Sequence, residues 1–224
     1  MIKQVLEANL LLPQYELVIF TWGNVSGIDR ANNIVAIKPS GVEFNAMTES
    51  DIVTVTLDGE MLGGALHPSS DTPTHLALYK AYPKIGGICH THSRYATSFA
   101  QAGMEIPVLG TTHADDFFGD IPIARPLTAA EINGEYEKSV ATAIIDTDFD
   151  PDKIPAILVR QHGVFAFGKT PLAAVKNAKI LEEVAFMAFH SYLLNPDTLD
   201  LDRALLRKHY HRKHGESAYY GQEK

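Results

Sequence analysis

The chain has 224 residues, 46% hydrophobic and 21% charged, which suits a soluble globular protein large enough to bury a sizeable core. Its formal net charge of −8 argues against nucleic acid and against anionic membrane, since both need basic patches on the protein. The single cysteine, Cys89, excludes an intrachain disulfide, and ten histidines beside it favour imidazole and carboxylate metal chemistry in a reducing compartment.

In chain order, residues 2–12 carry apolar side chains at three- to four-residue spacing and predict a helix that Pro13 closes. Lys3, Gln4, Glu7 and Asn9 interrupt this segment, so it is no signal-peptide core, and nowhere do about 18 apolar residues run together. A cytoplasmic protein is expected. Residues 17–20 predict a short strand running into the polar stretch 21–26, and residues 34–38 a strand broken by Pro39-Ser40-Gly41. Thr48 and Asp51 have capping-box spacing and mark a helix start; 52–57 is a strand, and Asp58-Gly59 a hairpin turn. The polar loop 68–73 precedes a helix over 74–82. A strand ending in His90-Thr91-His92 precedes a helix over 94–102, and 111–116 is a dense polar cluster. The capping box Thr128–Glu131 opens another helix, and 147–155 is an Asp/Pro-rich surface connection. Strands over 156–159 and 164–167 flank a glycine turn. Residues 171–194 form the longest helical pattern, and 200–213 a second one rich in Arg and His. Strands and helices alternate irregularly, without repeat or linker. That predicts a single α/β domain spanning 1–224, with helices on both faces of a mixed sheet.

The chemistry concentrates in a few loops and strand ends. Positions i and i+2 of a strand share a face, so His90 and His92 present two imidazoles side by side while Cys89 points away as a small buried residue. His162, where an apolar strand breaks into a turn, is a third ligand candidate, and Asp71 a fourth and weaker one. Three imidazoles with an open position are the donor set of a catalytic zinc, although manganese and cobalt accept it too. Taken singly, His162 is equally a hydrogen-bonded turn histidine, and Asp71 equally the N-cap of the helix that follows it. Gly23-Asn24, Ser40-Gly41 and Ser69-Ser70 combine small residues with amide and hydroxyl donors suited to a phosphate, with Lys38 as the cation. Each alone also reads as an ordinary turn. Nothing matches a Walker A or GxGxxG loop.

Several segments together carry a resemblance: Trp22-Gly23-Asn24-Val25-Ser26, Lys38-Pro39-Ser40-Gly41, Pro68 through His75, and His90-Thr91-His92-Ser93. Gly110 through Asp115, Ile132 through Glu137, Lys208-His209-Tyr210 and Tyr219-Tyr220-Gly221 complete it. In this order they resemble the sugar-phosphate epimerase branch of the metal-dependent class II aldolase/adducin-like family, over nearly the whole chain. The connection 146–155 is shorter than that pattern. The resemblance implies a three-layer α/β/α sandwich around a mostly antiparallel mixed sheet, and a homotetramer with active sites between subunits. It implies Asp71, His90, His92 and His162 as ligands of Zn2+, with Mn2+ or Co2+ as substitutes. It implies Asn24, Ser40, Gly41, Ser69 and Ser70 around the phosphate of a ketopentose, beside the Gly23 and Lys38 read from the loops themselves. Asp115 and Tyr220 match the acid/base pair, reaching a neighbour's metal, and His209 and Arg212 match tail residues approaching the same site. The implied reaction is retro-aldol cleavage of C3–C4, rotation of the phosphorylated aldehyde, and re-addition with C4 inverted.

Beside that reading stand others. A class II aldolase of the fuculose or rhamnulose phosphate type would release the fragments; Asp71, where that branch has Glu, favours the epimerase. A non-catalytic adducin-like interaction domain should have lost its metal ligands, and a metallohydrolase would leave the phosphate loops unexplained. Glu135 and Glu137 read as a surface pair or subunit contact, and His75 and His113 as structural or supporting histidines.

Overall fold

The computed structural model describes residues 1–214 and 218–220. Helix α1 (Ile2–Gln14) leads into β1 (Asn24–Asp29), β2 (Ile34–Ile37), β3 (Val53–Thr56) and β4 (Met61–Gly63). Helix α2 (Thr72–Ala81), β5 (Gly87–Thr91) and α3 (Arg94–Ala102) follow, then the short helices α4 (Thr111–Ala114) and α5 (Ala129–Asn133). The chain ends with α6 (Tyr136–Ile145), β6 (Ala156–Val159), β7 (Gly163–Gly168), α7 (Pro171–Leu194) and α8 (Arg203–His214). The strands form one seven-stranded sheet in the order β4-β3-β2-β1-β5-β7-β6, and every ladder in it is antiparallel. Among the described residues, the one parallel pairing is an isolated bridge between Ile123 and Leu158.

The period of two along the strands divides the interior into two cores, giving the expected three layers. Val25, Cys89, Leu158, Val164 and Ala166 face a core shared with α1, α3 and α7. Ile88, Ile157, Val159, Phe165 and Phe167 face the opposite core, with α2 and α6. Cys89 is accordingly a buried free thiol on the face away from His90. Among the described residues, no helix is long and apolar enough to cross a membrane.

Several element expectations need correction. Residues 17–20 are not a strand: Glu16 and Phe20 adopt φ of 58° and 54°, turning the chain at both ends of the apolar run. The first strand is instead β1, whose Asn24, Ser26, Gly27 and Asp29 hid it from a hydrophobicity reading. Its buried Ser26 is satisfied in place: Ser26 Oγ lies 2.7 Å from His75 Nδ1 and 2.9 Å from Tyr79 Oη. Pro13 lies inside the last turn of α1 rather than beyond it. Thr48 and Asp51 do form a capping box, but around a single 3-10 turn that runs straight into β3. The Thr128 capping box opens only α5, which Gly134 separates from α6. Gly221 of the resembling tail motif lies outside the described residues.

Candidate active site

The ladders bring the candidate ligands to one end of the sheet. Asn24, at the start of β1, pairs with His90 near the end of β5, and His90 pairs in turn with Phe165 of β7. His162 sits in the β6–β7 turn and His92 one residue beyond β5. The three imidazoles form a nearly equilateral triangle with centroids 4.9–5.0 Å apart. One ligand atom from each lies within 4.8 Å of the others.

Each ring is seated by a different device. His90 stacks on Phe165 at 4.3 Å, and its Nδ1 is 2.9 Å from the Val164 carbonyl, leaving Nε2 to face the triangle. His92 rests against Gly163, where a Cβ would come within 2.6 Å of His92 Cδ2. His162 has its Nδ1 3.3 Å from Tyr136 Oη. Asp71 occupies the N-cap position of α2 without a side-chain cap bond. Its carboxylate instead accepts from Asn24 Nδ2 at 2.7 Å and lies 3.9 Å from His90 Nε2.

These donors fit a divalent ion. Burial first, then the neighbouring imidazoles, lower His92 and His162 from 6.5 to about 4, against the opposing pull of Asp71; both rings are neutral with free lone pairs at pH 7. Burial raises the Asp71 carboxyl, but His90, His75, Asn24 and His162 outweigh it and hold the group ionised. His90 Nε2 and His92 Nε2 face each other at 3.2 Å, so at most one proton fits between them, whereas a cation would satisfy both lone pairs.

The candidate phosphate loops meet the imidazoles in one cavity of about 630 Å³. A bridge between Pro39 and Pro68 zips two loops together, with Ser40 N–H donating to the His67 carbonyl and Ser69 N–H to the Lys38 carbonyl. Gly23 is required where the third loop crosses β5: at φ 85°, a Cβ there would approach the His90 carbonyl to 2.8 Å. Asn24 spends both amide protons within the site, on Ser69 Oγ at 2.9 Å and on Asp71, and so joins the loops to the candidate ligand carboxylate. Lys38 is 1% exposed, with its Nζ 3.2 Å from the Pro39 carbonyl and 4.7 Å above the Phe44 ring. Burial lowers its pKa from 10.5 to about 8, with Glu43 opposing. Ser40, Gly41, Ser69 and Ser70 complete the wall.

Asp115, His209, Arg212 and Tyr220 do not line that cavity. They gather where α4 meets α8. Asp115 accepts from Arg212 Nη2 at 2.6 Å and lies 3.0 Å from His209 Nδ1. Arg212 also lies 5.1 Å from the centre of the Tyr220 ring. Burial raises the Asp115 carboxyl, yet hydrogen bonds from Arg212 and His209 outweigh it and keep Asp115 below the usual carboxylate range.

The cavity also takes in residues that sequence reasoning passed over. Tyr136 and Glu137 line it, where Glu137 reads from sequence as a surface group; the Ile132–Glu137 motif was the available signal. Thr21 and the half-exposed Trp22 form the rim. His75 and His113 are buried supports, His75 beside Ser26 and His113 with Nε2 2.9 Å from the Gly119 carbonyl.

Known proteins give this arrangement a context. The family model described as Class II Aldolase and Adducin N-terminal domain matches residues 3–189. The chain is 54% identical over 223 residues to the L-ribulose-5-phosphate 4-epimerase UlaF of Salmonella paratyphi C (strain RKS4594), covering 99% of this chain and 98% of that one. Among solved structures it is similar to an L-fuculose 1-phosphate aldolase, with a TM-score of 0.81, 25% identity and 94% of each chain covered. L-fuculose 1-phosphate aldolase from Glaciozyma antarctica PI12 shares the fold, with a TM-score of 0.72, 21% identity, and 96% of this chain and 83% of that chain covered.

Proposed function

The chain belongs to the class II aldolase and adducin family, and from that premise we propose that it is an L-ribulose-5-phosphate 4-epimerase. It interconverts L-ribulose 5-phosphate and D-xylulose 5-phosphate as one catalytic domain over residues 1–224. The observation that carries the reading is the single cavity in which three imidazoles and a carboxylate adjoin three loops of glycines, hydroxyls and amides, in a chain 54% identical to a named epimerase.

Asp71, His90, His92 and His162 would hold the metal. A divalent ion there, zinc or in its place manganese or cobalt, supplies Lewis acidity for the negative charge that builds on the carbonyl side of the substrate as C3–C4 breaks. Lys38, with Gly23, Asn24, Ser40, Gly41, Ser69 and Ser70, grips the phosphate through both halves of the reaction. The phosphorylated two-carbon aldehyde therefore turns over without leaving, and re-addition to its opposite face inverts C4. Proton traffic at the C4 oxygen needs groups on two sides. Asp115, ionised beside Arg212 and His209, takes one side and Tyr220 the other, each reaching the cavity of a neighbouring subunit in a homotetramer. Their clustering away from their own chain's cavity supports that placement. The buried free thiol of Cys89 suits a cytoplasmic enzyme.

The test is a coupled assay on L-ribulose 5-phosphate with and without a chelator. Metal-dependent D-xylulose 5-phosphate is the expected product. Glycolaldehyde phosphate accumulating faster than xylulose 5-phosphate would make the chain an aldolase instead, the activity named for its structural neighbours.

A further inference from the structure

We infer that Tyr136 is the positioning residue that orients His162 for metal binding, and that Thr74 of the adjoining α2 anchors it. The three imidazoles differ in what fixes them. His90 lies in a strand, gripped by the Val164 carbonyl and stacked on Phe165. His92 is wedged between the end of β5 and Gly163. His162 stands in the β6–β7 turn, directly after Gln161 at φ 59°, and the partner of its Nδ1 is a side chain, Tyr136 Oη at 3.3 Å. A turn residue lacks the ladder that pins a strand residue, so its ring orientation depends more heavily on that one contact.

Tyr136 is itself held. It is the first residue of α6, and the next residue, Glu137, accepts a hydrogen bond through its carbonyl from Thr74 Oγ1 at 2.7 Å. Thr74 is 1% exposed and lies in the first turn of α2, three residues after Asp71. A continuous path thus runs from Asp71 along α2 to Thr74, across to the Glu137 carbonyl, and through Tyr136 to His162. It ties the carboxylate ligand to the imidazole that lies furthest from it in sequence.

The physical role follows from imidazole chemistry. When Nδ1–H donates to the phenol oxygen, the proton is fixed on Nδ1 and the Nε2 lone pair faces the other two rings. A partner of this kind on a ligating histidine typically sustains metal affinity by about 10- to 100-fold. This inference rests on the proposed metal centre and is independent of which sugar phosphate is turned over.

The experiment is zinc affinity of the purified full chain, by competition with a chromophoric chelator, together with the visible spectrum of the Co2+-loaded protein. Tyr136→Phe keeps the ring and removes the acceptor. It should weaken zinc binding by about 10- to 100-fold and shift the cobalt bands, while the metal-free protein unfolds within a few degrees of wild type. Thr74→Val should produce a smaller loss in the same direction. Wild-type zinc affinity with an unchanged cobalt spectrum in Tyr136→Phe would overturn the inference and leave the metal centre standing. Failure of the wild-type chain to bind either ion would sink the metal-centre reading, and this inference with it.

Discussion

Lys38→Met separates stability from function at a single atom. Methionine matches the length of the lysine stem and removes only the charge. The ammonium lies in a side chain 1% exposed, against the Pro39 carbonyl at 3.2 Å and the Thr21 carbonyl at 3.5 Å. Its pKa falls from 10.5 to about 8, chiefly through burial. At about 1.4 kcal/mol per pH unit that corresponds to at most about 3.5 kcal/mol of cost at pH 7, discounted to about 2 because Lys38 lines an open cavity. Loss of the two carbonyl contacts returns about 1 kcal/mol. Lys38→Met should therefore be as stable as wild type or more so, raising Tm by up to about 4 °C.

The linkage has a definite sign. Between pH 8 and 10.5 the unfolded chain still binds the proton that the folded one has shed, so wild-type stability should rise across that window, and Lys38→Met should lose that part of the slope. Function should move the other way. A charge-assisted bond to phosphate contributes about 1.5–3 kcal/mol, so kcat/KM should fall about 10- to 150-fold, mostly through KM, and more glycolaldehyde phosphate should escape. Steady-state kinetics with thermal unfolding at pH 7 and pH 10 would measure both. An unchanged kcat/KM, or a variant less stable by several degrees, would refute the reasoning.

Other outcomes follow from the same geometry. Burial lowers His113 from 6.5 to about 4 despite the Gly119 carbonyl and Asp120, so the fold should lose about 3 kcal/mol as pH falls from 6.5 to 4. Urea titrations at pH 7 and 4.5 should show a smaller difference for His113→Gln, with the share of the likewise lowered His75 remaining. Gly163→Ala drives a Cβ to within 2.6 Å of His92 Cδ2 and of the Thr91 carbonyl, and should cost about 1–3 kcal/mol and most of the bound metal. Full metal content at an unchanged Tm would contradict the seat assigned to His92. Asp115→Asn and Tyr220→Phe should each reduce turnover by about 10²- to 10⁴-fold with metal content intact; near-normal epimerase rates in both would end their assignment as the proton carriers.

The sequence by itself determined the elements that rest on periodicity and local signals. The span of α7, the faces of β5 and the direction of Cys89 followed from side-chain spacing, because the hydrophobic effect writes burial directly into the order of residues. The candidate ligands and loops were legible as motifs, because positions i and i+2 of a strand share a face and glycines and serines mark turns, and their grouping into one site rested on the resemblance. Tertiary structure alone decided the rest. β1 was invisible because its Ser26 side chain is satisfied by His75 and Tyr79 and its Val25 N–H by Asn9, partners distant in the chain. Residues 17–20 looked like a strand and were not, since two left-handed residues outweighed a short apolar run. Tyr136 became a partner of His162 only when α2 and α6 packed together. Asp115 and Arg212, 97 residues apart, met only when α8 docked on α4. A hydrogen bond between side chains depends on positions in space that the whole fold must first create, so no local pattern encodes it.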